Sequence, residues 1–238
     1  MSTKKFSEEE SRTVRVIGAD AQEKLRASRV AVFGVGGVGG HICEALARAG
    51  VGAIDIFDRD CVSLSNINRQ IIALHSTVGR PKVEVMKERI LDINPHCQVT
   101  AHEVFYLPEN ADEFDLTGYN FIADAIDTVS AKIELAVRAT QNDIPIISAM
   151  GAGNKLSPER FCVADIYKTT TDPLARIMRR ELKARGIKKL RVVYSEEQPT
   201  APHPDSIEEG KATPGSLSFV PSVMGLIMAG EIIKELIK

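Results

Sequence analysis

The chain has 238 residues, with 30 Lys or Arg against 32 Asp or Glu and a formal net charge of -2. That length buries one substantial core, and the balanced charge excludes a polybasic or strongly acidic protein, so any nucleic-acid contact must come from a local patch. The four cysteines (Cys43, Cys61, Cys97 and Cys162) form no CxxC pair, which argues against structural zinc and a secreted disulfide framework and for reduced thiols in the cytoplasm.

The opening MSTKKFSEEESRTVR lacks the apolar run of a signal peptide. Residues 8–27 read as helical with a break near Gly18. Residues 29–33 are a β-branched run ending in glycines, which suits a buried parallel strand. A helix over 41–49 and a strand over 53–57 follow. Residues 82–91 read as a helix with Val83, Met86 and Ile90 on one face, stopped by Asn94-Pro95. Strands over 98–103 and 121–125, a helix over 130–142 and a strand over 144–149 complete the first part. The alternation predicts an α/β fold, Rossmann-like and doubly wound, with a mainly parallel sheet and flanking helices.

Beyond it, the pattern predicts a strand over 161–167, a basic helix over 172–185, a strand over 190–195 and a last helix over 221–237. The stretch EEQPTAPHPDSIEEGKATPGS between them is rich in Pro, Gly and charge. It predicts a mobile loop over about 196–216. Residues 219–229 are apolar but interrupted by Pro221, Ser222 and Gly225. A membrane span needs ~20 apolar residues, so a buried helix and no membrane partner are expected. One domain over 1–238 results: a helical arm (1–28), a nucleotide-binding core (29–150) and a substrate-facing extension of the same domain (151–238).

Gly34, Gly36 and Gly39 form G-x-G-x-x-G between a predicted strand and a predicted helix, with Gly37 inside it. Such a loop lets backbone N–H groups approach phosphates at a helix N-terminus. Asp58 ends the next strand, where a carboxylate can accept from ribose hydroxyls. To this point NAD and ATP fit equally. FDRDCVSLSNINRQ favours ATP. A dehydrogenase has no use for Asn66, Asn68, Arg69 and Gln70 behind the ribose acid, with Asp60 beside it. Arg69 offers a planar fork of donors to phosphate oxygens, and Asn66 and Asn68 add neutral donors. Lys82, in VGRPKVEV, can neutralise charge growing on a triphosphate. Asp127, in FIADAIDT, stands at the sheet edge where open α/β sheets bind ligands and suits a magnesium ion. Asp124 is nearer the strand body and reads as structural. Singly, each of these charges reads as surface decoration; the ordered set does not.

ARIMRRELKARGIKKLR carries Arg176, Arg179, Arg180, Lys183, Arg185, Lys188, Lys189 and Arg191, opposed by Glu181 alone. Such a patch attracts a phosphate backbone, though a solvated helix face has the same composition. Leu174, Ile177, Met178 and Leu182 give that helix an apolar side.

The motifs GVGGVG, D-x-D-x-V-x-x-S-N-x-x-R-Q, G-x-x-K and D-x-x-D-T resemble those of the ThiF/MoeB/HesA superfamily, the adenylating proteins related to ubiquitin-activating enzymes, over roughly 8–165. The resemblance implies that ATP and magnesium turn a carboxylate into an acyl-adenylate. It implies that the glycines around Gly36 cradle phosphates, Asp58 holds ribose, Asn66, Arg69 and Lys82 contact the triphosphate, and Asp127 holds magnesium. An arginine near the N-terminus, Arg15 with Arg12 as second choice, is implied to reach the ATP of the other protomer in a homodimer. NRQIIAL, GAGNKLSPER, KTTTDPLARIMRRELK and VVYSEEQP are similar to the tRNA threonylcarbamoyladenosine dehydratase branch. That implies a tRNA substrate whose threonylcarbamoyl carboxylate is activated and then cyclised with loss of AMP. Sulfur-transferring relatives use a loop cysteine and often zinc. This loop has neither, so no thioester and no zinc are expected, while a sulfur-transfer protein partner is left open. Adenylation of a ubiquitin-like carrier protein, an NAD-dependent oxidoreductase and a non-catalytic nucleotide-binding protein stand as alternatives.

Overall fold

The computed structural model describes residues 6–201, 207–208, 211–212 and 214–238. Its elements are α1 (Ser11–Ile17), α2 (Ala19–Arg26), β1 (Arg29–Phe33), α3 (Gly39–Ala49), β2 (Ala53–Phe57), α4 (Lys82–Ile93), β3 (Gln98–His102) and β4 (Phe121–Asp124). There follow α5 (Val129–Gln141), β5 (Ile146–Ala149), β6 (Phe161–Asp165), α6 (Pro173–Ala184), β7 (Arg191–Ser195), the two-residue β8 (Ile207–Glu208) and β9 (Lys211–Ala212), and α7 (Phe219–Leu236). Gly18, with φ at +84°, turns the chain between α1 and α2.

Seven strands form one sheet in the order β3-β2-β1-β4-β5-β7-β6. All neighbours run parallel except the edge strand β6, which is antiparallel to β7. The order reverses between β1 and β4, so the loops leaving these two strands part from each other and open a crevice. The β-branched strands are buried on both sides. Val30, Val32, Ile54, Ile56, Ala123 and Val193 pack with α3, α4 and α7, while Ala31, Phe33, Phe57 and Ile122 pack with α5. A third cluster joins α5, α6 and β7 through Ala136, Met178, Leu182 and Val192. The ends of β1, β2 and β3 are braced by an aromatic stack. Phe57 lies between Phe33 and His102, with ring centroids 4.2 and 4.1 Å away.

The predicted elements are present with shifted ends. The helix predicted from 41 starts at Gly39, the one predicted to 91 runs to Ile93, the strand predicted from 144 starts at Ile146, and that predicted to 167 ends at Asp165. The last of these shifts has a local cause: Asp165 accepts from the Tyr167 N–H at 2.9 Å and turns the chain into a 3₁₀ turn. Within the predicted loop, residues 202–206, 209–210 and 213 lie outside the described residues. The described flanks are tied down. Thr200 N–H donates to the Asn154 carbonyl at 2.8 Å, and Gly215 N–H donates to Asn154 Oδ1 at 2.7 Å. β8 and β9 pair antiparallel between them.

Candidate active site at the β1–β4 switch point

The crevice holds a cavity of about 370 Å³, within the size range of small-molecule sites. Its floor is the β1–α3 turn. Gly34 has φ at +89°, and a Cβ there would lie 2.6 Å from the Ala125 carbonyl oxygen. A Cβ on Gly39 would lie 1.8 Å from the Gly34 carbonyl oxygen. These two glycines let the helix start press on its own loop, while Gly36 and Gly37 face the cavity. The β1–α3 turn is thus a backbone surface open to a ligand.

Asp58 follows β2. Its carboxylate accepts from Val35 N–H at 2.7 Å and from Asp60 N–H at 2.9 Å, which clamps the glycine turn to the acid pair. Burial pushes its pKa up, partly offset by the Lys82 ammonium. Lys82 Nζ stands 2.8 Å from Asp60 Oδ2 and 3.9 Å from Asp58 Oδ2. The Lys82 side chain is only 7% exposed, but that of Asp60 is 53% exposed. The ammonium is therefore held at the wall by an acid that solvent or a ligand can replace.

Asn66, Arg69 and Gln70 enter from the segment between β2 and α4. A 3₁₀ turn at Leu64–Asn66 is closed by Asn66 Oδ1, which accepts from Ser63 N–H at 3.1 Å. Arg69 donates to Ser65 O at 3.1 Å and Asn68 Oδ1 at 3.0 Å, both uncharged acceptors. Its cation thus keeps its charge for a ligand. Gln70 and Tyr106 border the cavity, and Gln70 Oε1 and Tyr106 OH are buried with no hydrogen-bond partner among the described residues. The expectation for Asn68 needs correcting. Its amide donates to Ser216 O at 2.9 Å, so it ties down the residues before α7 instead of facing a phosphate.

Asp127 lies three residues beyond β4, exposed at the cavity mouth, where its Oδ1 accepts weakly from Thr128 Oγ1 at 3.4 Å. Asp124 is fully buried. It stands 2.9 Å from Lys132 Nζ and accepts from Ile126 N–H at 3.2 Å. Lys132 also donates to Ile126 O at 3.2 Å. This buried pair fixes the loop that carries Asp127.

Arg15 and Arg12 are exposed on α1 and are not among the cavity's lining residues. The α6 cations are not equivalent. Arg179 donates to Thr169 O at 2.9 Å and so is turned inward. Arg180 and Arg185 pair with Glu181 at 2.8 and 2.9 Å. Arg179 is thereby drawn from solvent, whereas Arg180 stays exposed beside Glu181. Arg176, Lys183, Lys188 and Lys189 are exposed with no ion pair among the described residues. Cys61 is exposed, Cys43 and Cys97 are buried and Cys162 is half-buried. Burial pushes the Cys97 thiol up to about 11 and that of Cys43 higher, which makes both poor nucleophiles. Among the described residues, no group of three or more His, Cys, Asp or Glu is placed to hold a metal, and no helix is long and apolar enough to cross a membrane.

Sequence reasoning missed several walls: Val104–Leu107 after β3, Ala152 and Gly153 after β5, Pro214–Ser216, and Pro221 in the first turn of α7. The first had a legible signal, the apolar VFYL directly after a strand at the ligand-binding sheet edge. Ala152 and Gly153 lie in GAGNKLSPER just after a strand at the same edge, whereas Pro214–Ser216 and Pro221 come from distant sequence with no local mark.

The ThiF family pattern matches residues 9–238. The tRNA threonylcarbamoyladenosine dehydratase of Bacillus subtilis is 47% identical over 239 residues, covering 96% of this chain and 94% of the relative. Its namesake in Escherichia coli is 43% identical over 172 residues, covering 72% of this chain and 64% of the relative. Solved structures of E. coli tRNA N6-threonylcarbamoyladenosine dehydratase, TcdA, in complex with AMP and with ATP, superpose with TM-scores of 0.90 and 0.88, at 35% and 34% identity, and each comparison covers 99% of this chain and 96% of the other. With its fold, its motifs and nearly its whole length matched, the chain belongs to the ThiF family.

Proposed function

We propose that the chain is an ATP-dependent tRNA threonylcarbamoyladenosine dehydratase. The observation that carries this is the convergence of Gly36, Asp58, Arg69, Lys82 and Asp127 on one cavity at the switch point, in a chain 47% identical to a dehydratase over almost its full length. Asp58 and Asp60 hold the ribose side, and the β1–α3 turn receives the phosphates. Asn66, Gln70, Arg69 and Lys82 bind the triphosphate, the last two neutralising charge as the carboxylate oxygen of the threonylcarbamoyl group attacks the α-phosphorus and pyrophosphate leaves. An internal nucleophile of the same group then attacks the acyl carbon. AMP departs, a ring forms, and the net change is loss of water. Ring closure needs no enzyme nucleophile, which agrees with the buried state of Cys43 and Cys97.

Magnesium is held by one or two carboxylates together with substrate phosphates, and an exposed Asp127 at the cavity mouth fits that donor set. When bound, the ion supplies charge neutralisation between phosphate oxygens. We further assign tRNA contacts to Arg176, Lys183, Lys188 and Lys189, a homodimer in which Arg15 or Arg12 serves the other protomer's site, and a cytoplasmic setting.

AMP release measured with modified tRNA, unmodified tRNA and no tRNA tests the reading. Release should require ATP and the modified tRNA. Equal release with a ubiquitin-like carrier protein in place of tRNA would overturn it. Asp127→Ala should lower turnover at least 100-fold with an unchanged melting temperature. A near-wild-type rate at saturating magnesium would remove Asp127 from the metal site.

A further inference from the structure

GAGNKLSPER and KTTTDPLARIMRRELK meet in space at a buried ion pair outside the nucleotide cavity. Lys155 and Asp172 are 3% and 1% exposed, and Lys155 Nζ stands 3.6 Å from Asp172 Oδ2. Asp172 faces two ways. Its Oδ1 accepts from Ala175 N–H at 2.9 Å and caps α6. Its Oδ2 accepts from Gly151 N–H at 3.1 Å. Lys155 closes the other side by donating to the Gly151 carbonyl at 2.8 Å. Gly151 is thus gripped at both its N–H and its carbonyl. The space is tight, because a Cβ on Gly151 would lie 2.9 Å from Asp172 Oδ2.

The next two residues, Ala152 and Gly153, are a wall of the nucleotide cavity. Gly153 in turn abuts Pro214, to which its Cβ would come within 3.0 Å, and Asn154 bonds both to Gly215 and to Thr200. A buried ion pair adds little net stability over an apolar pair of the same volume, and its best-attested use is to fix register. Stability therefore does not account for this pair, and geometry does: one carboxylate joins the start of the helix carrying Arg176 and Lys183 to the wall of the cavity.

We infer that Lys155 and Asp172 are positioning residues that set the 151–153 wall in register with α6, so that tRNA docked on α6 presents its carboxylate to the nucleotide. The inference rests on the dehydratase reading and on α6 as its RNA face. A merely structural pair and a positioning pair differ in which kinetic quantity they move.

The test is the double variant K155M/D172S, which removes both buried charges while the introduced serine hydroxyl keeps an N-cap for α6. Melting temperature, affinities for ATP and for modified tRNA, and turnover at saturation of both are measured. We expect both affinities within threefold of wild type and turnover reduced at least tenfold. Turnover within twofold of wild type, or a loss that disappears at saturating ATP and tRNA, overturns the inference. If that variant does not fold, G151A keeps both charges and displaces only the contact, and the same split between affinity and turnover is required of it. Wild type inactive on modified tRNA would overturn the dehydratase reading and the inference with it. An active wild type with an equally active variant overturns the inference alone.

Discussion

Lys82 and Lys155 are about equally buried, at 5% and 3% exposure, yet they belong to different parts of the molecule. Lys82 leans on Asp60, whose side chain is half in solvent, and it lines an open cavity. Lys155 is closed between Asp172 and the Gly151 carbonyl, and Lys132 is likewise sealed against Asp124, both side chains being fully buried. Depth of burial alone therefore does not separate a cation at an open cavity from a framework cation. What separates them is whether the partner can be exchanged for a ligand. The open pair is reached by solvent through Asp60, whereas the sealed pairs are not.

Removing one lysine of each kind separates the two roles. Lys82→Ala should reduce AMP formation by more than 100-fold with a small change in stability. Lys132→Ala strands a fully buried carboxylate, which costs about 3–5 kcal/mol and should lower the melting temperature by about 10 °C for a chain of this size. Thermal unfolding and turnover measured on both proteins should give crossed results. If Lys82→Ala proves the less stable of the two, the distinction fails.

A second test lies on α6, where paired and free cations share one helix. Reversing Arg176, Lys183 and Lys188 to Glu should weaken tRNA binding and reduce the magnitude of the log-affinity against log-salt slope by about 2 to 3, given roughly 0.7–0.9 per phosphate contact. Reversing Arg180 and Arg185, already occupied by Glu181, should have the smaller effect. Titration of labelled tRNA at two salt concentrations reads both. Equal losses would mean that the Glu181 pairs do not restrain their arginines.

The acids Asp55 and Asp58 respond to pH in opposite senses. Burial pushes Asp55 up, but hydrogen bonds from Arg29, at 2.7 and 2.8 Å, and from His102 outweigh it, leaving its pKa lowered. Its ionised form is favoured in the fold. Its stabilisation is full above the ordinary carboxylate value and is lost as pH falls through the lowered one. Asp58 has the opposite sign, because burial dominates and raises it. Its contribution is present below the ordinary value and is lost as pH rises through the raised one. Denaturant melts of Asp55→Asn against wild type should differ most at neutral pH and converge in acid. For Asp58→Asn the cost should be largest in acid and shrink toward neutrality. The smallest effect should come from Cys61→Ser, with turnover within twofold of wild type. A large loss there would reveal covalent chemistry.

The sequence was most legible where function and local structure coincide. The glycine turn, Asp58, Lys82 and Asp127 each follow a strand or open a helix at one sheet edge, so spacing alone brings them to a common cavity, which Asn66, Arg69 and Gln70 join from the segment between β2 and α4. The seven main strands were legible for a similar reason, since β-branched runs alternate with amphipathic helices. Partner choice was not legible. Asn68 reaching Ser216, Arg179 turning to Thr169, and Asp172 gripping Gly151 are contacts between residues 10 to 148 positions apart. Such pairings are set by packing, which no local pattern encodes.

Pro221 also bears on the order in which the protein comes into being. It stands in the first turn of α7 and packs against the glycine turn, where a Cβ on Gly37 would come within 3.2 Å of its ring. A chain leaving the ribosome holds Gly34, Asp58, Lys82 and Asp127 well before it holds Pro214–Ser216 and Pro221. The charged groups of the cavity are made first and their enclosure last. Nucleotide affinity should therefore switch on late in synthesis, and a nascent chain halted after β5 should carry the catalytic charges without retaining ATP.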